Sequence, residues 1–418
     1  MSLMTYAETR PWVRSIRAKV VNRQMPPWHA DPRFGTFRND PSLTPEQIAT
    51  VTGWIDGGAP KGSDEDLPPQ PTFATGWQGG TPDVVIEMPE TPVQAEGEIP
   101  NDYVWVENPF KEDVFASALE LRPGNRAVVH HLRIDVVKLP EGHKVVNGTL
   151  YGPDGQKARS DGGGGSDVIN EDGERHHLIA WVPGRTLERF RPATGKRIAA
   201  GHWFRFNTHY QPNGTETTDR SKLGIWLSKV PVTHEVFTRG VGTSLPTEPN
   251  ETRFTVDGRE IVVRSDNGEV VQRAGDERKG IPNIPPYAEN WKIVGVTPIT
   301  TPITVYVMSP HMHLRGKDLT WIATYPDGRE ETLLSVPNYD FNWQLNYELK
   351  TPVKLPAGSK ITAIAHYDNS VNNRYNPGPD KEVFWSEQSW DEMFLPYLEY
   401  TVDSHTTTPK AETSRQQR

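Results

Sequence analysis

Hydrophobic and polar residues along this chain change their rhythm near residue 83. Upstream, Ala7 to Arg23 carries a mixed amphipathic pattern, and a second helical pattern covers Pro45–Asp56. There Thr44 is an N-cap residue, Pro45 takes the first helical position, Gln47 completes a capping box and Gly57–Gly58 closes the helix. Downstream, short runs rich in Val, Ile, Trp, Tyr and Phe alternate with turn residues, the pattern of β-strands. DVVIEM, YVWVEN, AVVHHLRIDVV, HWFRFNTHY and LGIWL form one block; ITVYVMS, LTWIATYPDG, KITAIAHYDN and MFLPYLEY form another. Between them RFTVDG and EIVVRSDNGEVVQR predict a hairpin, with Asp-Gly and Asn-Gly as turns.

This pattern predicts a mainly β protein of two tandem β-sandwich, jelly-roll-like domains preceded by a small helical N-terminal segment. The expected boundaries are a helical segment over 1–62, a linker over 63–82, sandwiches over 83–235 and 236–404, and a disordered polar tail over 405–418. Ser160–Asp167 (SDGGGGSD) is expected to be a flexible loop. A length of 418 residues exceeds one ordinary core and agrees with several domains.

Composition narrows the chemistry. A formal net charge of −9 disfavours nucleic acid as a partner, because phosphate binding needs a basic surface. No apolar run is long enough for a membrane span. With no cysteine, disulfides and thiolate metal sites are excluded, which leaves His, Met and carboxylates as possible ligands. The N-terminus, MSLMTYAETRPW, lacks the apolar core of a signal peptide.

The 13 histidines hold the most specific pattern. His311 and His313 form a His-x-His, and on a strand residues two apart share a face, so both imidazoles can reach one ion. His130 and His131 are adjacent; they can share an ion only where the strand ends or bulges, and the alternative is one packed and one solvated ring. His209 ends another strand. The thioether of Met393 is a soft donor that favours Cu(I), or else packs in the core beside Phe394 and Leu395. His176–His177 reads as a surface turn entering a strand, and His366 as a structural residue near the site. Asp391–Glu392 either orient ligands or are solvated.

The order His-His, His, His-x-His, Asp-Glu-Met over residues 83–404 resembles the copper type II, ascorbate-dependent monooxygenases, the family of the peptidylglycine-amidating and dopamine β-hydroxylating enzymes. PHMHLRGK, YDFNWQ, AHYDNS, NPGP and EQSWDEMF, in that order, are similar to a bacterial branch. The resemblance implies two coppers per chain: an electron-transfer site at His130, His131 and His209, and an oxygen-binding, catalytic site at His311, His313 and Met393. It implies hydroxylation of a C–H bond of a small organic substrate with O2 and ascorbate or another redox donor, and a periplasmic or secreted location. Tyr397 matches a substrate-contacting tyrosine, whereas Ser309 replaces a carboxylate-binding arginine, which argues against a peptidyl-glycine substrate. Residues 1–62 resemble the C-terminal half of a c-type cytochrome domain, with Met25 at the axial position; without the Cys-x-x-Cys-His no haem is expected here, and Met25 is expected to pack on Trp28. The rival readings are a non-catalytic copper-binding or electron-transfer sandwich and a zinc hydrolase, the latter disfavoured by Met393.

Overall fold

A computed structural model describes residues 2–69, 76–97, 99, 103–158, 176–182, 184–185, 187–241, 251–256, 259–264, 283–386, 388–404 and 406–407. The Gly-rich stretch Ser160–Asp167, the Asp-Gly turn of the expected hairpin and the tail beyond 407 lie outside these residues.

The N-terminal helices follow from their caps. Thr5 and Glu8 form a capping box that opens Tyr6–Thr9, and the chain continues through a 3-10 turn at Arg10–Trp12 into the helix Val13–Val21. Pro11 lies in that tight turn, where its missing N–H costs nothing. Thr44 accepts from the Gln47 amide while the Gln47 side chain reaches back, and Pro45–Asp56 ends at Gly57. The segment between the helices is anchored to the distant strand Tyr347–Leu355 and to Ser335. Asp31 N–H donates to Ser335 O at 2.8 Å, Arg38 N–H to Glu348 O at 2.8 Å, and Lys350 N–H to Thr36 O at 2.8 Å. Trp28 packs on Tyr347 and Phe37, with centroids at 4.8 and 5.7 Å. Gly35 makes the approach possible: its φ is +69°, and a Cβ there would lie 2.6 Å from Leu333 O.

The strands gather into four principal sheets. The first has six strands: Val84–Glu87, Lys222–Leu227, Val114–Arg122, Thr194–Ile198 and His234–Glu235 in that order, with Leu187–Arg189 also on Val114–Arg122. In the second, Tyr103–Glu107, His202–Tyr210, Val129–Lys138 and His176–Trp181 pair in that order. The third orders Phe237–Gly240, Tyr397–Val402, Ile303–Ser309 and Tyr347–Leu355. The fourth runs Arg259–Arg264, Glu251–Val256, Trp291–Ile299, Ser359–Tyr367, Gly316–Thr324 and Glu330–Val336. All these pairings are antiparallel except Thr194–Ile198 with His234–Glu235, which is parallel.

This arrangement corrects the expected pair of tandem jelly-roll-like sandwich domains. Counted by sheets, the architecture is four-bladed and propeller-like. The blades are not simple meanders, because hydrogen-bonded neighbours come from distant parts of the chain, such as Val114–Arg122 and Lys222–Leu227. Alternating side chains and turn residues specify that a segment is a strand; they do not specify its partner, and here the partners are set by long-range pairing.

Two apolar clusters hold the sheets. One draws Leu119, Leu121 and Ile225 from the first sheet and Ile134, Phe204 and Phe206 from the second. The other draws Ile303, Val305 and Tyr400 from the third sheet and Ile293, Leu319 and Trp321 from the fourth. Full burial of each such side chain contributes about 1.5–3 kcal/mol. Among the described residues no helix is long and apolar enough to cross a membrane.

Candidate metal centre

His131 and His209 face each other across two antiparallel strands of the second sheet. Directly beyond them the register shifts, so that Tyr210 pairs with Val129 and His130 is the extra residue of a β-bulge. In a regular strand His130 would point away from His131; the bulge turns it to the same side. The outcome is a convergence of three imidazoles. Their ligand atoms all lie within 4.8 Å of one another, and Nδ1 of His130 is 3.2 Å from Nδ1 of His131.

The electrostatics favour the neutral form of His130 and His131. Burial, with the neighbouring His209, lowers His130 to about 4, and burial together with the other imidazoles lowers His131 well below its ordinary value. A neutral imidazole has a lone pair to donate, so the cluster can coordinate one metal ion. Among the described residues this is the one place where three or more His, Asp or Glu side chains converge in this way.

His311 and His313 come together nearby, just after the strand Ile303–Ser309, with ring centroids 5.3 Å apart and planes at 87°. Nδ1 of His311 meets Gln344 Oε1 at 2.5 Å, and Nδ1 of His313 meets the Asp391 carbonyl at 3.3 Å. Both acceptors place the proton on Nδ1 and leave Nε2 as the donor atom. Burial lowers His311 to about 4 and His313 well below the usual histidine value. Met393 lines the same cavity of ≈ 90 Å³ as His131, His311 and His313. Phe341 lies between the two groups: its ring stacks on His130 at 5.3 Å and meets His313 edge-on at 5.8 Å.

The backbone around Met393 is held by Glu392. This buried carboxylate accepts from the amides of His313 at 2.8 Å, Arg315 at 2.6 Å and Met393 at 3.2 Å. Burial pushes its pKa up to about 8, against the lowering effect of those amides. Tyr397 lies in the cavity wall and stacks on His177 at 6.2 Å with an interplanar angle of 11°. His177, expected in a surface turn, is instead a strand residue whose Nδ1 lies 3.5 Å from the buried Asp135. His366 is tied to Asp318 at 2.7 Å. Ser309 donates to the Asn346 side chain. Met25 is 40% exposed, and Trp28 packs on Phe37 and Tyr347.

Sequence reasoning missed Phe341, Gln344 and Arg185. The first two lie in YDFNWQ, which carried a resemblance but no chemical reading; Arg185 carried no signal, since a lone arginine after a Gly is ordinary surface composition.

No family model matches this sequence, and no curated protein matches it. Three solved structures show remote likeness. PNGF-II shares 10% identity at a TM-score of 0.25, with 76% of this chain and 64% of that chain covered, which is less than two thirds of its length. The tandem CBM22-1–CBM22-2 domain of Paenibacillus barcinonensis Xyn10C shares 8% at a TM-score of 0.16, covering 78% and 100%. Allantoicase shares 8% at 0.17, covering 67% and 81%. Similarity this low carries no argument about fold or function.

These findings correct the resemblance to the copper type II monooxygenases and to a cytochrome remnant. The four-bladed, propeller-like sheet arrangement is not the pair of jelly-roll sandwiches that the resemblance implied. Among the described residues one three-histidine cluster is found and no clear dicopper centre, which corrects the two-copper hydroxylation and the monooxygenase activity that the resemblance implied.

Proposed function

We propose that this chain is a metal-binding protein that holds one transition-metal ion at His130, His131 and His209. The observation that carries this reading is the mutual approach of three imidazoles within 4.8 Å, produced by a bulge in the sheet. Imidazole suits Cu, Zn, Fe and Ni, and affinity among divalent ions peaks at Cu(II), so copper is the ion we assign. As part of the same proposal, His311, His313 and the thioether of Met393 provide a second copper position, softer and suited to Cu(I). Gln344 and the Asp391 carbonyl orient those two rings, the kind of support that ligating histidines use.

The location belongs to the same proposal. A chain without cysteine needs no reducing compartment to preserve its ligands, and a periplasmic or secreted setting fits it.

The test is a chelator-competition titration of metal-stripped protein with Cu(II) and Zn(II), comparing the wild type with His131→Ala and His209→Ala. The reading predicts tighter copper than zinc binding and a loss of at least about a hundredfold in either variant. Equal affinity in the wild type and both variants overturns it.

A further inference from the structure

His313 and Met393 come from distant parts of the chain, and one carboxylate accepts hydrogen bonds from both of their backbone amides. Glu392 is fully buried. Its Oε2 accepts from the His313 amide at 2.8 Å and from the Met393 amide at 3.2 Å, and its Oε1 accepts from the Arg315 amide at 2.6 Å. The residue before it orients a ring: the Asp391 carbonyl meets Nδ1 of His313 at 3.3 Å. The residue after it carries the thioether. Three consecutive residues therefore fix the His313 backbone, orient the His313 imidazole and bring Met393 to the same cavity.

The surrounding bonds divide the work. His311 N–H donates to Leu395 O at 3.2 Å, and Leu395 N–H returns to His311 O at 3.1 Å. This pair joins the two segments at one end, whereas Glu392 joins them at His313 and Met393 themselves. The Tyr339 hydroxyl donates to the Met312 carbonyl at 2.6 Å, and the Tyr367 hydroxyl to the Met393 carbonyl at 2.8 Å, so each segment is also held by its own tyrosine. Arg315 is anchored in turn by Asn369 Oδ1 at 2.7 Å and the Trp390 carbonyl at 2.6 Å. Gly316 lets the turn after His313 close, because a Cβ there would lie 2.6 Å from Met312 Cβ.

A carboxylate taken out of water is costly, and buried charge is a weak source of stability. What it supplies here is geometry. It offers two acceptor oxygens in one plane and no donor, so amides from two segments converge on one group. A glutamine in its place keeps one acceptor oxygen and turns an NH2 group toward an amide donor.

We propose that Glu392 is a positioning residue that sets the approach of Met393 to His313, and so decides whether the thioether joins the two imidazoles around one copper ion. This rests on the second copper position proposed above and names the group that assembles it. His311 does not depend on Glu392, being held by Leu395 and Gln344. Loss of the carboxylate leaves two imidazoles without sulfur, and removes the preference for Cu(I) that a soft donor gives.

The experiment loads the full chain with Cu(I) and reads X-ray absorption and chelator competition. It compares the wild type with Glu392→Gln, Glu392→Asp, Met393→Ala and the double variant Glu392→Gln/Met393→Ala. The wild type is expected to show sulfur scattering besides imidazole, and Met393→Ala to lose it. Glu392→Gln is expected to lose the sulfur scattering as well, and to bind Cu(I) at this position about 10–100-fold more weakly, the usual cost of removing a partner behind a metal ligand. Cu(II) affinity at the three-histidine cluster should stay within a few-fold. The double variant is expected to bind Cu(I) no more weakly than Met393→Ala alone, since Glu392 acts through Met393. A merely structural role would weaken both positions and would add to the effect of Met393→Ala. Glu392→Asp keeps the charge but is shorter by one methylene; it is expected to fall between, and it serves if Glu392→Gln does not fold. Sulfur scattering retained in Glu392→Gln and Glu392→Asp, or effects that add in the double variant, overturns the proposal while the second copper position stands. A wild type without sulfur scattering removes that position itself, and the proposal with it.

Discussion

The ring of Phe341 stacks on His130 with centroids 5.3 Å apart and planes inclined by 30°. The same ring meets His313 at 5.8 Å, so one side chain packs against a member of each imidazole group. An aromatic pair of this kind contributes about 0.5–1.5 kcal/mol beyond area burial. Phe341→Ala is therefore expected to weaken metal binding at the three-histidine cluster by roughly up to tenfold, the affinity equivalent of that range. Competition titration of the variant checks this.

Gln344 makes a separable prediction. Its Oε1 fixes the Nδ1–H of His311 at 2.5 Å and has no such contact with His130, His131 or His209 among its described hydrogen bonds. Gln344→Leu is expected to weaken the second copper position by about 10–100-fold, the usual cost of removing a partner behind a ligating histidine. Binding at the three-histidine cluster should stay within a few-fold. Stepwise Cu(I) and Cu(II) titrations distinguish the two positions.

Asp135 supports the sheet that carries the cluster. It is buried, lies 3.0 Å from Arg205 and 3.4 Å from Arg133, and neighbours His177. Burial alone would raise its pKa, but Arg133, the His177 hydrogen bond and Arg205 outweigh burial and hold it well below the usual carboxylate range. A carboxylate with a depressed folded-state pKa stabilises the fold at all pH above its unfolded value, about 3.9, and loses that contribution as pH falls through the folded value. Stability should hold from neutrality to about pH 4 as far as this group is concerned, and decline below it. Asp135→Asn removes one partner of a buried ion cluster and is expected to cost about 3–5 kcal/mol. Its stability should also change less with pH below about 4. Urea denaturation of both proteins across that pH range measures both effects.

Trp28 tests the attachment of the N-terminal segment. It packs between Phe37 and Tyr347 and bridges the first 60 residues to the apolar cluster of the third and fourth sheets. Trp28→Ala is expected to destabilise the protein by about 3–5 kcal/mol, as for other large-to-small aromatic changes, and to leave metal affinity in the folded protein unchanged. Thermal unfolding and a metal titration below the transition read the two parts.

How far the sequence was legible differs from element to element. The helix Pro45–Asp56 was readable because Thr44, Pro45, Gln47 and Gly57 all act locally, within one turn. The strands His202–Tyr210 and Ile303–Ser309 were readable as segments for the same reason. Their partners were not, because any alternating strand fits any sheet edge, and the four-sheet arrangement depends on contacts between residues as distant as Ala116 and Lys196. The adjacent pair His130–His131 had two readings in sequence, and only the register shift beside His209 decides between them, since a bulge carries no residue signature of its own here. His177 was misplaced because a polar flank, GERHH, suggested a surface turn, whereas Asp135 on the neighbouring strand supplies a buried partner.

X-ray absorption at the metal edge of the copper-loaded protein tests the central claim most directly. The account predicts imidazole scattering from three histidine rings at ~2.0 Å, reduced when His209 is replaced by Ala. A spectrum of oxygen ligands without imidazole, or one identical in the His209→Ala variant, would contradict it.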